Sequence, residues 1–283
     1  MALSVRTNVA SLTAANQLSH TQSQLSSSLE KISSGMRINR AADDAAGLSV
    51  ATRMESDNTS LKQAIRNAND GISLVQTAEG GLNELYNIMV RMRELSVQAS
   101  NETYSSQDRS QMNTEYAGLV DEAKRLVSVA SFNRQSILNG GAGGAGSLLS
   151  IQIGIHNNSD NRLDINLSTL NSTLGALGIT AALQTISTVF GAAQNNLAAI
   201  DDAIGEVNTR RAYLGAVQNR LENALNEATN YSENLASSAS QILDVDYAEE
   251  SSNMTRFQIM QQAGVAALGQ AKAIPQSVVS LLS

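Results

Sequence analysis

IDDAIGEVNTRRAYLGAVQNRLENALNEATNYSENL, residues 200–235, is the stretch on which the fold turns. Ile200, Val207, Leu214, Leu221, Ala228 and Leu235 recur at seven-residue intervals, all apolar and with no proline among them. A sustained heptad predicts one long helix with an apolar seam, and such a seam needs a partner seam. Toward the N-terminus, Met54, Leu61, Ala68, Val75, Leu82 and Met89 repeat the same register over an equal span. The chain is therefore expected to fold back and zip its two halves together as an antiparallel rod.

Composition agrees with a thin aliphatic interior. The 283 residues include 3 Phe, 6 Tyr and no Trp, the side chains that fill a thick core. Pro275 is the single proline, so the residue that costs a helix interior about 3 kcal/mol is missing elsewhere. Gly80, Gly81, Gly205 and Gly215 are expected only to weaken the long helices locally. A formal net charge of -7 and the lack of any Lys/Arg cluster argue against nucleic-acid binding. The absence of cysteine excludes disulfides, thiolate metal sites and thiol catalysis together. No stretch of about 18 apolar residues offers a membrane span. The opening residues lack the basic and apolar regions of a Sec-type signal, so the protein is expected to be soluble or to be exported by a route that does not use one.

Outward from the seams, the first forty residues carry a stripe at Val5, Val9, Leu12, Leu18, Leu25 and Ile32, accompanied by Leu29 and Met36, on an otherwise Ser-, Thr- and Gln-rich background. Such a helix is weak alone, because helical stability comes mostly from packing of the apolar face. Near the other end, Met254, Phe257, Met260, Val265, Leu268 and Ala271 fall on one side of a helical projection, with Ile259 the exception. The two terminal segments, 1–44 and 245–283, are expected to pair as a coiled coil, leaving 45–244 as the rod. Within the rod, Ser105 and Asp108 have capping-box spacing and open a second helix striped by Met112, Tyr116, Leu119, Ala123 and Leu126. Leu149, Ile151, Ile153 and Ile155 alternate with period two, and Leu163, Ile165 and Leu167 resume after a polar tip, predicting a β-hairpin at about 148–168. Residues 171–193 read as a weakly patterned connection. The expected fold class is thus mostly α, a long antiparallel coiled-coil-like bundle with one small hairpin.

Catalytic and cofactor motifs are missing. Gly141, Gly143 and Gly146 spell a G-x-G-x-x-G string, but they precede a strand where a dinucleotide site would follow one. No P-loop, H-E-x-x-H or G-x-S-x-G string occurs. His20 and His156 lie far apart on a terminal helix and at the hairpin tip, which supports neither a dyad nor a metal cluster. No catalytic, cofactor-binding or metal residue is expected. One surface stands out: relative to a seam through Leu82 and Met89, Arg91, Leu95 and Gln98 are expected to face outward as polar anchors around an exposed leucine.

Several strings resemble bacterial flagellin: Leu29 to Asn39 (LEKISSGMRIN), Asp43 to Gly47 (DDAAG), Arg66 to Ser73 (RNANDGIS) and Met92 to Gln98 (MRELSVQ). The C-terminal side agrees, with Leu214 to Leu221 (LGAVQNRL), Asp246 to Glu249 (DYAE), Asn253 to Gly264 (NMTRFQIMQQAG) and Pro275 to Leu282 (PQSVVSLL). The middle departs from longer relatives and reads as a core-only form without variable outer domains. The resemblance implies a structural, non-enzymatic subunit without cofactors that polymerises helically with copies of itself, outside the cell. It implies contacts with an export chaperone and with filament cap and junction proteins, and none with nucleic acid or membrane. The polymerisation surface is then expected on Val5, Val9, Leu12, Leu18, Leu25, Leu29, Ile32, Met254, Phe257, Met260, Val265, Leu268, Leu281 and Leu282. In receptor-activating flagellins the positions matching Arg91, Leu95, Gln98 and Glu115 resemble the surface read by Toll-like receptor 5, so the same role is implied here. A hook-filament junction protein, a flagellin-like metalloprotease and a helical signalling bundle are the competing readings; the second lacks its H-E-x-x-H.

Overall fold

The computed structural model describes residues 8–140, 148–180, 185 and 190–280; Val5, Leu281, Leu282 and the glycines at 141, 143 and 146 lie outside the described residues. The elements are α1 (Val9–Ser34), α2 (Ala45–Ala99), α3 (Ser106–Val129), β1 (Ser131–Phe132), β2 (Gln135–Ser136), β3 (Leu148–Gln152), a 3-10 turn (Ser159–Asn161), β4 (Arg162–Asn166), α4 (Phe190–Leu243) and α5 (Tyr247–Ser280). The fold is mostly α. Two compact units arise: Thr59–Ser232, and the described residues up to Asn58 together with those from Glu233 onward.

In the unit formed by Thr59–Ser232, both heptad registers end up inside. Leu61, Ala68, Val75, Leu82 and Met89 are buried on α2, as are Ile200, Val207, Leu214, Leu221 and Ala228 on α4. From Ala68 to Leu221 they form one cluster with Tyr116, Val120, Ala123 and Val127 of α3. Because α3 contributes a second partner, α2 buries a broader arc than a two-stranded seam would. Leu85, Met92 and Leu95 join it between the heptad positions. Each fully buried aliphatic side chain of this kind contributes about 1.5–3 kcal/mol.

The hairpin pairs Leu149 with Ile165 and Ile151 with Leu163, and in β4 Leu163 and Ile165 are buried while Arg162 and Asp164 are exposed. It lies against α2 at Gly71, where an added Cβ would stand 2.6 Å from Ile151 Cδ1 and 3.3 Å from Leu221 Cδ1. Two features were not expected. β1 and β2 form a second, two-residue ribbon whose turn residues Asn133 and Arg134 both have positive φ, 48° and 65°. That is type I′ geometry, which favours glycine at the second turn position. The described part of the 171–193 connection is also built into the core. Leu174, Leu177 and Ile179 are buried there, and Ser172 Oγ accepts a hydrogen bond from the buried Arg210 Nη1 at 3.2 Å. Burial pushes the Arg210 guanidinium below its ordinary pKa.

In the other unit, α1 packs along α5. Asn8 caps α1 by accepting from Ser11 N, and its Nδ2 donates to Ala271 O at 2.8 Å. Farther along, Ser28 Oγ donates to Glu250 and Gln261 Nε2 donates to Gln22. Gly35 ends α1 in the left-handed conformation, φ 73°, where its N–H reaches Lys31 O. Its own carbonyl then accepts from Val245 N at 3.0 Å. This ties the α1–α2 junction to the α4–α5 junction.

Candidate functional site

The face predicted around Arg91 is built by α2 and α3 with the tight turn between them. Ser105 and Asp108 form the capping box that starts α3: Asp108 N donates to Ser105 Oγ at 3.2 Å and Ser105 N donates to Asp108 Oδ2 at 3.0 Å. The Ser105 hydroxyl, donating to Asp108 Oδ2 at 2.7 Å, and then the Ser105 backbone N–H hold the Asp108 carboxyl below the usual range. The end of α2 is closed by Arg109, a buried cation whose Nε donates to Ala99 O at 3.1 Å and whose Nη2 donates to Asn101 O at 3.0 Å. A guanidinium satisfying terminal helix carbonyls compensates groups that have no intrahelical partner. The turn is thereby held so that α3 returns beside α2 with Glu115 opposite Arg91.

Arg91 Nε and Nη2 donate to Glu115 Oε1 at 2.9 and 2.7 Å, and Nη1 donates to Glu94 Oε2 at 2.9 Å. Hydrogen bonding to Glu115, then to Glu94, raises the Arg91 pKa. Gln98 is exposed and its Nε2 donates to Tyr104 OH at 3.3 Å. Beside this face Arg93 pairs with Asp201, joining α2 to α4 across the surface. Arg91, Gln98 and Glu115 are therefore brought to one exposed face.

Leu95 is not part of that exposed face, and its expected outward position is corrected: the side chain is 2% exposed and belongs to the core cluster. Leu95 follows Met92 by three residues and precedes Ala99 by four, and both of these are fully buried. Residues three and four apart share a helix face, so Leu95 points inward beneath the polar anchors. Glu94, Tyr104 and Arg109 escaped the sequence reading. Only Arg109 left a trace there, as a cation shortly beyond the C-terminal end of a predicted helix.

The second surface is the α1–α5 pair. Its contact side carries Leu18, Thr21, Leu25, Ser28 and Ile32 of α1, with Thr21, Leu25 and Ser28 buried. Phe257, Gly264 and Leu268 are half-buried on α5, and an added Cβ at Gly264 would meet Leu18 Cδ1 at 3.2 Å. Several other predicted apolar residues among the described ones are open instead. Val9 is 64% exposed, Leu12 59%, Leu29 47% and Val265 57%, with Ile259 also exposed at 61%. Pairing thus consumes only part of the apolar surface of the two helices, and the single stripe expected on each is in fact spread over two sides.

A hollow of about 220 Å³ between α2, the hairpin tip and α4 is lined by Leu61, Ile153, His156, Asp160, Ala228 and Tyr231. Among the described residues, no group of three His, Cys, Asp or Glu side chains could hold a metal ion. No described helix is long and apolar enough to cross a membrane.

Comparison with known proteins accounts for both ends of the chain. Residues 5–142 match the bacterial flagellin N-terminal helical region and residues 197–282 match the bacterial flagellin C-terminal helical region. The chain is 43% identical over 257 residues to the flagellin of Halalkalibacterium halodurans, covering 90% of each. It is 34% identical to polar flagellin F of Vibrio parahaemolyticus over an alignment of 377 positions that spans both chains completely. With 283 residues here, 94 of those 377 positions have no counterpart in this chain. Residues 143–196, which neither family profile matches, contain the hairpin and the connection into α4. A putative flagellar hook-associated protein from Vibrio parahaemolyticus shares the fold, with a TM-score of 0.58 at 17% identity over 71% of this chain and all of that one.

Proposed function

Because this chain belongs to the bacterial flagellins, non-enzymatic structural subunits of the flagellar filament that serves motility, we propose that α1 and α5 carry the contacts by which it polymerises. The terminal segments, 1–44 and 245–283, would form the inner part of the polymer and 45–244 the outer part. The observation behind this reading is the apolar surface that the α1–α5 pair leaves uncovered at Val9, Leu12, Leu29 and Val265. Exposed apolar area of this kind on two polar helices calls for a further apolar partner. In a homopolymer with heterologous contacts, that partner is the same pair in neighbouring copies. The helices are then stabilised by assembly itself, by mass action.

The test uses the full chain. Leu12→Lys and Val265→Lys place charges at exposed positions, so the monomer is expected to keep its helix content by circular dichroism. Elongation from flagellin seeds, followed by electron microscopy, is expected to stop. Filaments of ordinary length from both variants would refute the reading.

The face of Arg91, Gln98 and Glu115 is proposed as the surface by which Toll-like receptor 5 reads the free monomer. Leu95 enters this reading as the buried support that sets the position of Arg91, rather than as a contact. Exposed polar anchors over a rigid apolar base suit a recognition patch. The subunit is further proposed to act outside the cell and to meet an export chaperone, a filament cap and junction proteins, as expected of this family.

A further inference from the structure

We propose that Met260 is an oxidation-sensitive site, at which conversion of the thioether to the sulfoxide by a peroxide stops the subunit from joining a filament. The inference rests on the reading of α1 and α5 as the polymerising surface and adds a chemical control to it. Met260 follows Phe257 by three residues and precedes Gly264 by four, and Gly264 is where α5 comes close to Leu18 of α1. Met260 therefore lies at the margin of the α1-facing side. It is 39% exposed and the adjacent Ile259 is 61% exposed, so Met260 stands where the α1 contact gives way to the open side of α5. A neighbouring copy seated along that margin would cover Met260 and Ile259.

The sulfur is accessible to a small oxidant only while the subunit is free. Its lone pair attacks one oxygen of hydrogen peroxide; the S–O bond forms as the O–O bond breaks, sulfur loses two electrons, and the other oxygen departs as water after taking up the hydroxyl proton. The product replaces a flexible apolar side chain with a strong hydrogen-bond acceptor. Buried in an apolar contact without a donor, that oxygen opposes association. Met89 and Met92 in the rod core are fully buried and should resist the same reagent. Met36, at the α1–α2 junction, is 38% exposed and gives an internal reference of equal accessibility.

The experiment treats full-length monomer with hydrogen peroxide, maps sulfoxides by peptide mass spectrometry and follows elongation from seeds by light scattering. Met36 and Met260 are expected to oxidise before Met89 and Met92, and elongation is expected to fall by about tenfold or more, the effect of one unpaired polar group in a contact. Treated Met260→Leu should elongate as fast as the same variant untreated, whatever its starting rate, whereas treated Met36→Leu should lose elongation as the wild type does. Undiminished elongation by protein shown to carry the Met260 sulfoxide overturns the proposal. So does equal loss in treated Met260→Leu, or rescue by Met36→Leu. Failure of this kind is separable from failure of the polymerising-surface reading, which would appear as elongation by the Leu12→Lys and Val265→Lys variants.

Discussion

Leu95 and Arg91 stand one helical turn apart on α2 and do opposite work. Leu95 is enclosed, so Leu95→Ala removes packed methyl groups and leaves a cavity; a loss of about 2–5 kcal/mol is expected in urea unfolding. Arg91 makes its bonds at the surface, and Arg91→Ala should leave the unfolding midpoint unchanged while lowering monomer potency in a Toll-like receptor 5 reporter assay. Unchanged potency would remove that face from the proposal. Arg134 presents the reverse situation, a long side chain at φ 65° where glycine is favoured. Arg134→Gly is expected to stabilise the protein by about 1 kcal/mol in the same measurement, through release of left-handed strain. At this scale the sequence was legible only in part. The 92–95–99 spacing that puts Leu95 inside was present, but it could be read correctly only with two helices packed on α2, and a heptad register names one.

Among the elements, helix ends and close approaches decide the arrangement. The Ser105–Asp108 box was readable because both partners lie within one turn, so its geometry depends on local sequence alone. The approach of α1 to α5 at Gly264 was not, since it depends on which residue of a distant segment comes opposite. Gly264→Leu is expected to push Leu18 aside and weaken the pair, seen as faster amide exchange along Val9–Ser34 with the α2–α3 region unaffected. Equal protection in variant and wild type would show that the contact does not matter. The α3 core gives a pH signature. Burial raises the Tyr116 phenol from an ordinary value of 10 to about 12. A group whose folded pKa is raised contributes stability below its unfolded value and loses it as pH rises through the folded one. Thermal stability should therefore decline between about pH 10 and 12 beyond the effect of general charge repulsion, and Tyr116→Phe should remove that extra decline.

For the molecule as a whole, the periodic parts were determined by sequence alone: two heptad registers, a period-two hairpin, weak polar helices at the ends and the absence of catalytic motifs. A period states which residues share a face, and burying that face requires only some partner, so element type and the burial of the repeating rod positions follow without coordinates. Tertiary structure alone decided how many partners each face meets. It turned α2 from a one-sided seam into a helix buried on a broad arc, which moved Leu95 inside. It built Leu174, Leu177 and Ile179 of an aperiodic connection into the core. It also divided the apolar residues of α1 and α5 between an internal contact and an exposed remainder. These outcomes depend on the simultaneous position of segments far apart in the chain, and no local repeat encodes the number or direction of neighbours.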